Sequence, residues 1–237
     1  ENTNTRYPTI RNCRVTNCFT GIENGSTYVG GIVGYAEFIN LYDNAVVNCK
    51  IETEDNIAGG IVGYMGVPEE AYTEIHIERN RVVNSTVHAI DDCAGGIIGH
   101  ADVDVITPVY IFHNYVQNCD VICGGNEVLA GDHVGGLIGS CQVRRITASY
   151  NYVHAKVIAM RGSCKAGLCT GLLDYRLKSG EYMYAEFGGL NYMDDEYWPL
   201  SWNGAVAEVY PDDDRGYLTD TEGLTQFRIN SSGYDYV

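Results

Sequence analysis

Basic side chains are scarce in this 237-residue chain: 15 Lys and Arg face 31 Asp and Glu, for a formal charge of −16. Binding nucleic acid depends on Lys and Arg displacing phosphate counterions, and docking on an anionic membrane surface needs the same charge, so this balance argues against both. No stretch approaches the ~18–20 apolar residues of a membrane-spanning helix, so no membrane insertion is expected within this chain. The chain opens at Glu1 without a methionine or a signal peptide, which reads as a mature or truncated product whose targeting segment lies elsewhere.

The signatures of catalysis are missing too. No G-x-G-x-x-G opens a helical pattern, and neither G-x-x-x-x-G-K-[ST] nor G-x-S-x-G occurs. The histidines (His76, His88, His100, His113, His133 and His154) form no H-E-x-x-H pair. Nine cysteines are present, an odd number, with no C-x-x-C. The nearest pairs, Cys13/Cys18, Cys119/Cys123 and Cys164/Cys169, are too widely spaced for a zinc knuckle and read as small buried thiols.

What the chain has is repetition. VGGIVGY at 29–35 returns as AGGIVGY at 58–64, AGGIIGH at 94–100 and VGGLIGS at 134–140. The copies are separated by 29, 36 and 40 residues, the period range of solenoids, propellers and arrays. A second phrase alternates with the first: RNCRV at 11–15, LYDNAVVNCKI at 41–51, IERNRVVNSTV at 77–87, IFHNYVQNCDV at 111–121 and a worn YNYVHAKVI at 150–158. Both phrases are rich in Val, Ile and Tyr and read as short β-segments.

The spacing of the apolar residues predicts corners. Leu41 and Val46 are five residues apart, and Val46 and Cys49 three, whereas a straight strand alternates faces at every residue. All three can face inward only if the chain kinks between them. Asn44/Asn48, Asn80/Asn84 and Asn114/Asn118 stand at those points, and asparagine tolerates left-handed backbone. Stacked one repeat above another, these amides would also form a hydrogen-bonded ladder. The glycine pairs Gly30/Gly31, Gly59/Gly60, Gly95/Gly96 and Gly135/Gly136 are expected to supply positive φ and close backbone approach. Cys13, Cys49 and Cys119 are assigned to one repeat position, stacked in the core. The sequence is therefore expected to form an all-β, irregular right-handed β-solenoid of about four to five repeats over residues 1–174. A degenerate last coil and a C-terminal aromatic-rich cap are expected over 175–237, where Tyr182, Tyr184, Tyr192, Tyr197, Trp198 and Trp202 cluster.

The alternation of N-C-x-V with V-G-G-I-V-G resembles the GLUG-motif repeat family of bacterial surface and secreted proteins, found among other places beside immunoglobulin A protease domains. The similarity runs from about residue 10 to about residue 158, and the tail GYLTDTEGLTQFRINSSGYDYV at 216–237 looks like the ending that follows such repeats. Ser85 stands where the pattern has cysteine. After residue 158 the glycine phrase is traced only in CTGLLDY (169–175) and FGGLNYM (187–193). The resemblance implies an exported, non-enzymatic scaffold of adhesin type with no catalytic residues to carry over. Its partner would be a host or neighbouring-cell protein or glycan, met outside a bacterial cell.

Two acidic clusters are the remaining candidates for chemistry. Asp194 and Asp195, followed by Tyr197, Trp198 and Trp202, set carboxylates beside aromatics as a carbohydrate site would, although neighbours on a strand point to opposite faces. They define the runner-up function, a carbohydrate-active protein that binds or cleaves glycans. Asp212 and Asp214 open a D-x-D-x-G phrase like the start of a calcium loop, but Gly223 takes the twelfth position and Glu222 falls one short. No cofactor is expected beyond that possible calcium. Sequons at Asn24, Asn84 and Asn230 are read as incidental, Asn84 because a glycan at a corner would break the stack.

Overall fold

A computed structural model describes residues 7–20, 28–54, 56–67, 73–103, 107–124, 133–143 and 145–160, together with the strands within 165–174, 184–186, 192–194, 206–210 and 228–230. Every described element is a β-strand, and the pairings between them are parallel.

One repeat shows the plan. Residues 40–67 form the strands Asn40–Tyr42, Ala45–Val47, Lys50–Thr53, Ile57–Gly59 and Val62–Val67. Each pairs with its counterpart in the next repeat: Ile75–Glu78, Arg81–Val83, Thr86–Ala89, Cys93–Gly95 and Ile98–Val103. The result is four sheets. The first holds Asn40–Tyr42, the second both Ala45–Val47 and Lys50–Thr53, the third Ile57–Gly59 and the fourth Val62–Val67.

Because the pairing is parallel and in register, like residues meet like. Val15, Val46, Val82, Val116 and Val153 form one column, and Ile51, Val87, Val121 and Val157 another. From the second repeat to the fifth, these valines and isoleucines are almost completely shielded from solvent. Burial on that scale, at roughly 25 cal/mol per Å² of apolar surface, is what holds short strands together when none could stand alone.

The corners depart from expectation in an instructive way. At the first corner the left-handed residue is the one before the expected asparagine: Asn12, Asp43, Arg79, His113 and Tyr150 have φ of 57, 57, 54, 57 and 58°. The asparagines Asn44, Asn80, Asn114 and Asn151 follow them, buried. At the second corner Asn17, Asn48, Asn84 and Asn118 themselves adopt φ of 50–55°. These are outer residues: Asn48, Asn84 and Asn118 are exposed, so the Asn84 sequon projects outward rather than into the stack.

Register also corrects the cysteine column. Arg14 pairs with Ala45, which sets Cys18, not Cys13, level with Cys49, Ser85 and Cys119. The Cys18 N–H meets Cys49 Sγ at 3.4 Å, and the Cys49 N–H donates to Ser85 Oγ at 3.0 Å. Cys13 stands one corner earlier, and its N–H donates to Asn44 Oδ1 at 3.0 Å.

The glycine phrases work by proximity and not by the positive φ expected of Gly30 and Gly31 and of the pairs that repeat them. Gly124 is the only described glycine with positive φ. The first glycines of the pairs, Gly30, Gly59, Gly95 and Gly135, stack in register. The second glycines run backbone against backbone. A Cβ on Gly31 would meet the Gly60 carbonyl oxygen, one on Gly60 that of Gly96, and one on Gly96 that of Gly136. Gly31 differs from its counterparts in burial, being only half-buried where Gly60, Gly96 and Gly136 are buried, because it belongs to the first of these repeats. The third glycine of the phrase lets the fourth sheet fold back on the third, since a Cβ on Gly63 would lie 2.8 Å from both Val29 N and Val29 O. Val62, Ile98 and Ile138 are consequently sealed from solvent.

The register continues beyond the clear sequence repeats. Lys165–Gly167 pairs with His133–Gly135, and Thr170–Asp174 with Ile138–Val143. Gly167 therefore answers to Gly135 and Thr170 to Ile138, which sets the fifth glycine phrase at 166–171 rather than in CTGLLDY at 169–175. Tyr184–Glu186 adds to the first sheet and Tyr192–Asp194 to the second, so Tyr192 and Met193, which end FGGLNYM, do not stand where a copy of the phrase would put them; residues 187–191 lie outside the described residues. Val206–Tyr210 and Arg228–Asn230 extend the fourth and second sheets further.

Candidate binding surface

Inward columns stay apolar or small from repeat to repeat, whereas a column outside the core can change its chemistry at every repeat. The column beside the buried valines of the second sheet reads Arg14, Ala45, Arg81, Tyr115 and Tyr152. At a strand spacing of about 4.8 Å, Arg14 and Arg81 stand about 10 Å apart with a small residue between them. Next to this column runs the first corner, with Asp43, Arg79, His113 and Tyr150.

Of these positions, Asp43, Arg79, Arg81, His113 and Tyr115 line an open surface groove of about 790 Å³, together with Val83 and Gln117. Its volume falls in the range of small-ligand sites. Arg79 grips Asp43 with two hydrogen bonds, Nε to Oδ1 at 2.8 Å and Nη2 to Oδ2 at 3.2 Å, and donates a third from Nη1 to Glu78 at 2.9 Å. The hydrogen bond from Arg79 holds the Asp43 carboxyl below its ordinary range, and the same bond raises Arg79. Arg81 is exposed and, among the described residues, has no ion pair or side-chain hydrogen bond.

Beside the groove, Tyr42 lies against two cations. Arg11 from the repeat before and Arg79 from the repeat after each place a guanidinium carbon 5.6 Å from its ring centre. Burial is the main cause raising the Tyr42 phenol, with Glu78 adding to it and the two arginines opposing. Arg11 and Arg14 of the first repeat and Arg79 and Arg81 of the third thus flank this corner in a chain that carries −16 overall. On the far side of the groove, His113 stacks on Tyr150 at 5.2 Å and Tyr115 leans on Tyr152 at 5.7 Å.

A second aromatic row runs along the fourth sheet. Tyr35 stacks on Tyr64 at 5.4 Å and Tyr64 on His100 at 5.1 Å, with interplanar angles of 10° and 8°. Their hydroxyls are tied to carboxylates, Tyr35 to Glu37 at 2.9 Å and Tyr64 to Asp102 at 3.0 Å. The Glu37 bond raises the Tyr35 phenol, while burial and then Asp102 raise Tyr64. Tyr64 is held between Tyr35 and His100 in this row, while Tyr35 at its end stays exposed.

The candidates drawn from the sequence fall elsewhere. Asp194 ends the strand Tyr192–Asp194 of the second sheet; Asp195, Tyr197, Trp198 and Trp202 lie outside the described residues. So do Asp212, Asp214 and Glu222. Among the described residues, no group of three or more His, Cys, Asp or Glu is placed to hold a metal ion. The groove's carboxylate, Asp43, is engaged by Arg79, so the lining supplies no carboxylate pair of the kind glycoside hydrolysis uses.

The arginine corner was missed because its members are remote in sequence. The available signal lay in the repeats: Arg14 follows Asn12-Cys13 as Arg81 follows Arg79-Asn80, an offset visible once the first repeat is set in its correct register. Compared with known proteins, the chain matches no family model, no curated protein and no solved structure.

Proposed function

We propose that this chain is a right-handed β-solenoid scaffold of the GLUG-motif type, displayed outside a bacterial cell to bind a protein or glycan. The observation that carries this reading is the division between inner and outer columns. Stacking keeps the core columns to apolar and small residues with buried asparagines at one corner, while the column beside them passes from Arg14 through the buried Ala45 and Arg81 to Tyr115 without repeating. Such a framework lets surface residues vary without disturbing the core, the property a presentation scaffold needs. Right-handedness follows from the strong preference of parallel crossover connections. The resemblance of the phrases to bacterial surface repeats and the acidic surface charge support an extracellular setting.

The test pairs glycan and host-protein arrays with sugar-release assays on a polysaccharide panel. A binding scaffold should give array hits with no sugar release. Release abolished by Asp194→Ala or Asp195→Ala would replace this reading with the carbohydrate-cleaving one.

A further inference from the structure

We infer that the groove at the first corner is a binding site for a carboxylate-bearing oligosaccharide, a reading that gives the proposed scaffold its ligand class. Four features carry it. The groove has the volume of a small-ligand site, about 790 Å³. Its lining carries two guanidinium groups, Arg79 and Arg81, against one carboxylate, Asp43, a local excess of positive charge on a chain that is acidic as a whole. Arg79 is occupied by Asp43 and Glu78, whereas Arg81 is exposed with its planar fork of donors uncommitted to any side chain among the described residues. A carboxylate matches that fork with two parallel hydrogen bonds.

The fourth feature separates a sugar from an acidic peptide. A peptide would gain affinity by adding a strand to an open edge, but Arg81–Val83 is hydrogen-bonded on both sides, to Ala45–Val47 and Tyr115–Cys123. The groove offers side chains only. Tyr115, 42% exposed, presents aromatic surface beside Arg81, to which it is paired in register. A pyranose can lay its C–H face on that ring, turn its carboxylate to Arg81 and share its hydroxyls with Gln117 and His113. The cations Arg14 and Arg11 extend the positive strip toward the first repeat, so a chain of several acidic sugars suits it better than a single one.

The experiment is calorimetric titration of the whole chain with four probes: a galacturonic acid tetramer, its methyl ester, a neutral galactose tetramer and a short poly-glutamate peptide. The acid tetramer should bind, more weakly as salt rises. The ester and the neutral tetramer should bind about tenfold more weakly or worse, the magnitude a lost charged hydrogen bond produces. Arg81→Ala and Tyr115→Ala should each weaken the acid tetramer about tenfold, with Arg81→Lys in between. Lys50→Ala, an exposed cation outside the groove, should change nothing. Both groove residues are exposed, so unchanged melting curves will show that the variants fold. No binding of the acid tetramer, equal binding of its ester, indifference to Arg81→Ala, or tighter binding of the peptide overturns the site. If the arrays then yield another ligand that ignores Arg81→Ala, the site is lost while the scaffold stands. Sugar release that depends on Asp194 removes the scaffold reading whatever the groove binds.

Discussion

Asn80 donates its side-chain amide to Oδ1 of Asn114 at 3.1 Å, and both residues are fully buried. The same bond recurs below and above, from Asn44 to Asn80 at 2.9 Å and from Asn114 to Asn151 at 3.0 Å. Each Oδ1 also accepts a main-chain N–H, as Asn80 Oδ1 does from Asn44, and each Nδ2 donates a second bond back to a carbonyl, as Asn80 does to Leu41. Every hydrogen-bonding position of the amide of Asn80 is thereby used inside the core. Removing it by Asn80→Ala leaves the Asn44 N–H and one Asn44 Nδ2 proton buried without their acceptor, at ~1–3 kcal/mol for each. The expected loss is about 3 kcal/mol or more, read as a shift in the denaturant midpoint. Asn80→Asp should be at least as damaging, because a buried carboxylate cannot donate to Leu41. The double variant Asn80→Ala/Asn114→Ala should lose less than the sum of the singles, since the first change already breaks their shared bond.

This ladder marks how far the sequence could be read. A chain of buried amides stacked between repeats is legible from the recurring N-x-V-x-N phrase, because parallel pairing in register forces identical residues into contact. Which asparagine faces inward is not legible, since Asn44 and Asn48 look alike until the backbone shows the left-handed turn at Asp43 for one corner and at Asn48 for the other. Cys13 was assigned to the wrong column for a similar reason. The first repeat contains Asn-Cys twice, at 12–13 and 17–18, and only the pairing of Arg14 with Ala45 decides between them. The arginine groove lay further out of reach, because 67 residues separate Arg14 from Arg81 and only stacking brings them together.

The glycine phrase can be tested by contrast. A methyl group on Gly96 would fall on the Gly136 carbonyl oxygen and 2.9 Å from Val116 Cγ2, so both the adjoining repeat's backbone and the core must move. Gly66 is different: the atoms nearest its added carbon all belong to one side chain, with Cε1 of Tyr64 at 2.8 Å, and none to the main chain. Gly96→Ala should therefore abolish folding or cost about 3 kcal/mol or more, in the manner of an overpacked core. Gly66→Ala should cost about 1 kcal/mol or less. Soluble yield and thermal melting of the two variants side by side would show the difference, and equal tolerance would refute the claim that proximity selects these glycines.

At the outer corner the demand is on torsion rather than space. Asn84 is exposed at φ 50°, and its only side-chain bond among the described residues is a long one from Asn118 at 3.3 Å. Glycine reaches that conformation freely, asparagine with modest strain and alanine with more. Asn84→Gly should leave stability within about 0.5 kcal/mol of the parent, while Asn84→Ala should lose ~1 kcal/mol. Denaturant titrations that ranked alanine above glycine would mean that the side chain, not the backbone, sets this corner.

Thiol chemistry should follow the columns. Cys13 and Cys18 are exposed on the first repeat, whereas Cys49, Cys93, Cys119, Cys123 and Cys141 are buried. Burial pushes the Cys119 thiol up to about 12, so at neutral pH it holds its proton and lacks the thiolate that alkylating reagents attack. Iodoacetamide followed by peptide mass mapping should modify Cys13 and Cys18 in the native protein and the five buried residues only in denaturant. The same shift fixes a pH dependence. The unfolded chain releases the Cys119 proton near its ordinary value of 9.0, while the native chain retains it to about 12, so unfolding in that window liberates a proton. The stability due to the protonated thiol is complete below the lower value and declines as pH climbs through the interval. Cys119→Ser, with a hydroxyl that stays neutral there and already stands at Ser85 in the same column, should flatten that decline relative to the parent in alkaline melting experiments. An identical alkaline profile for the two proteins would show that other groups govern it.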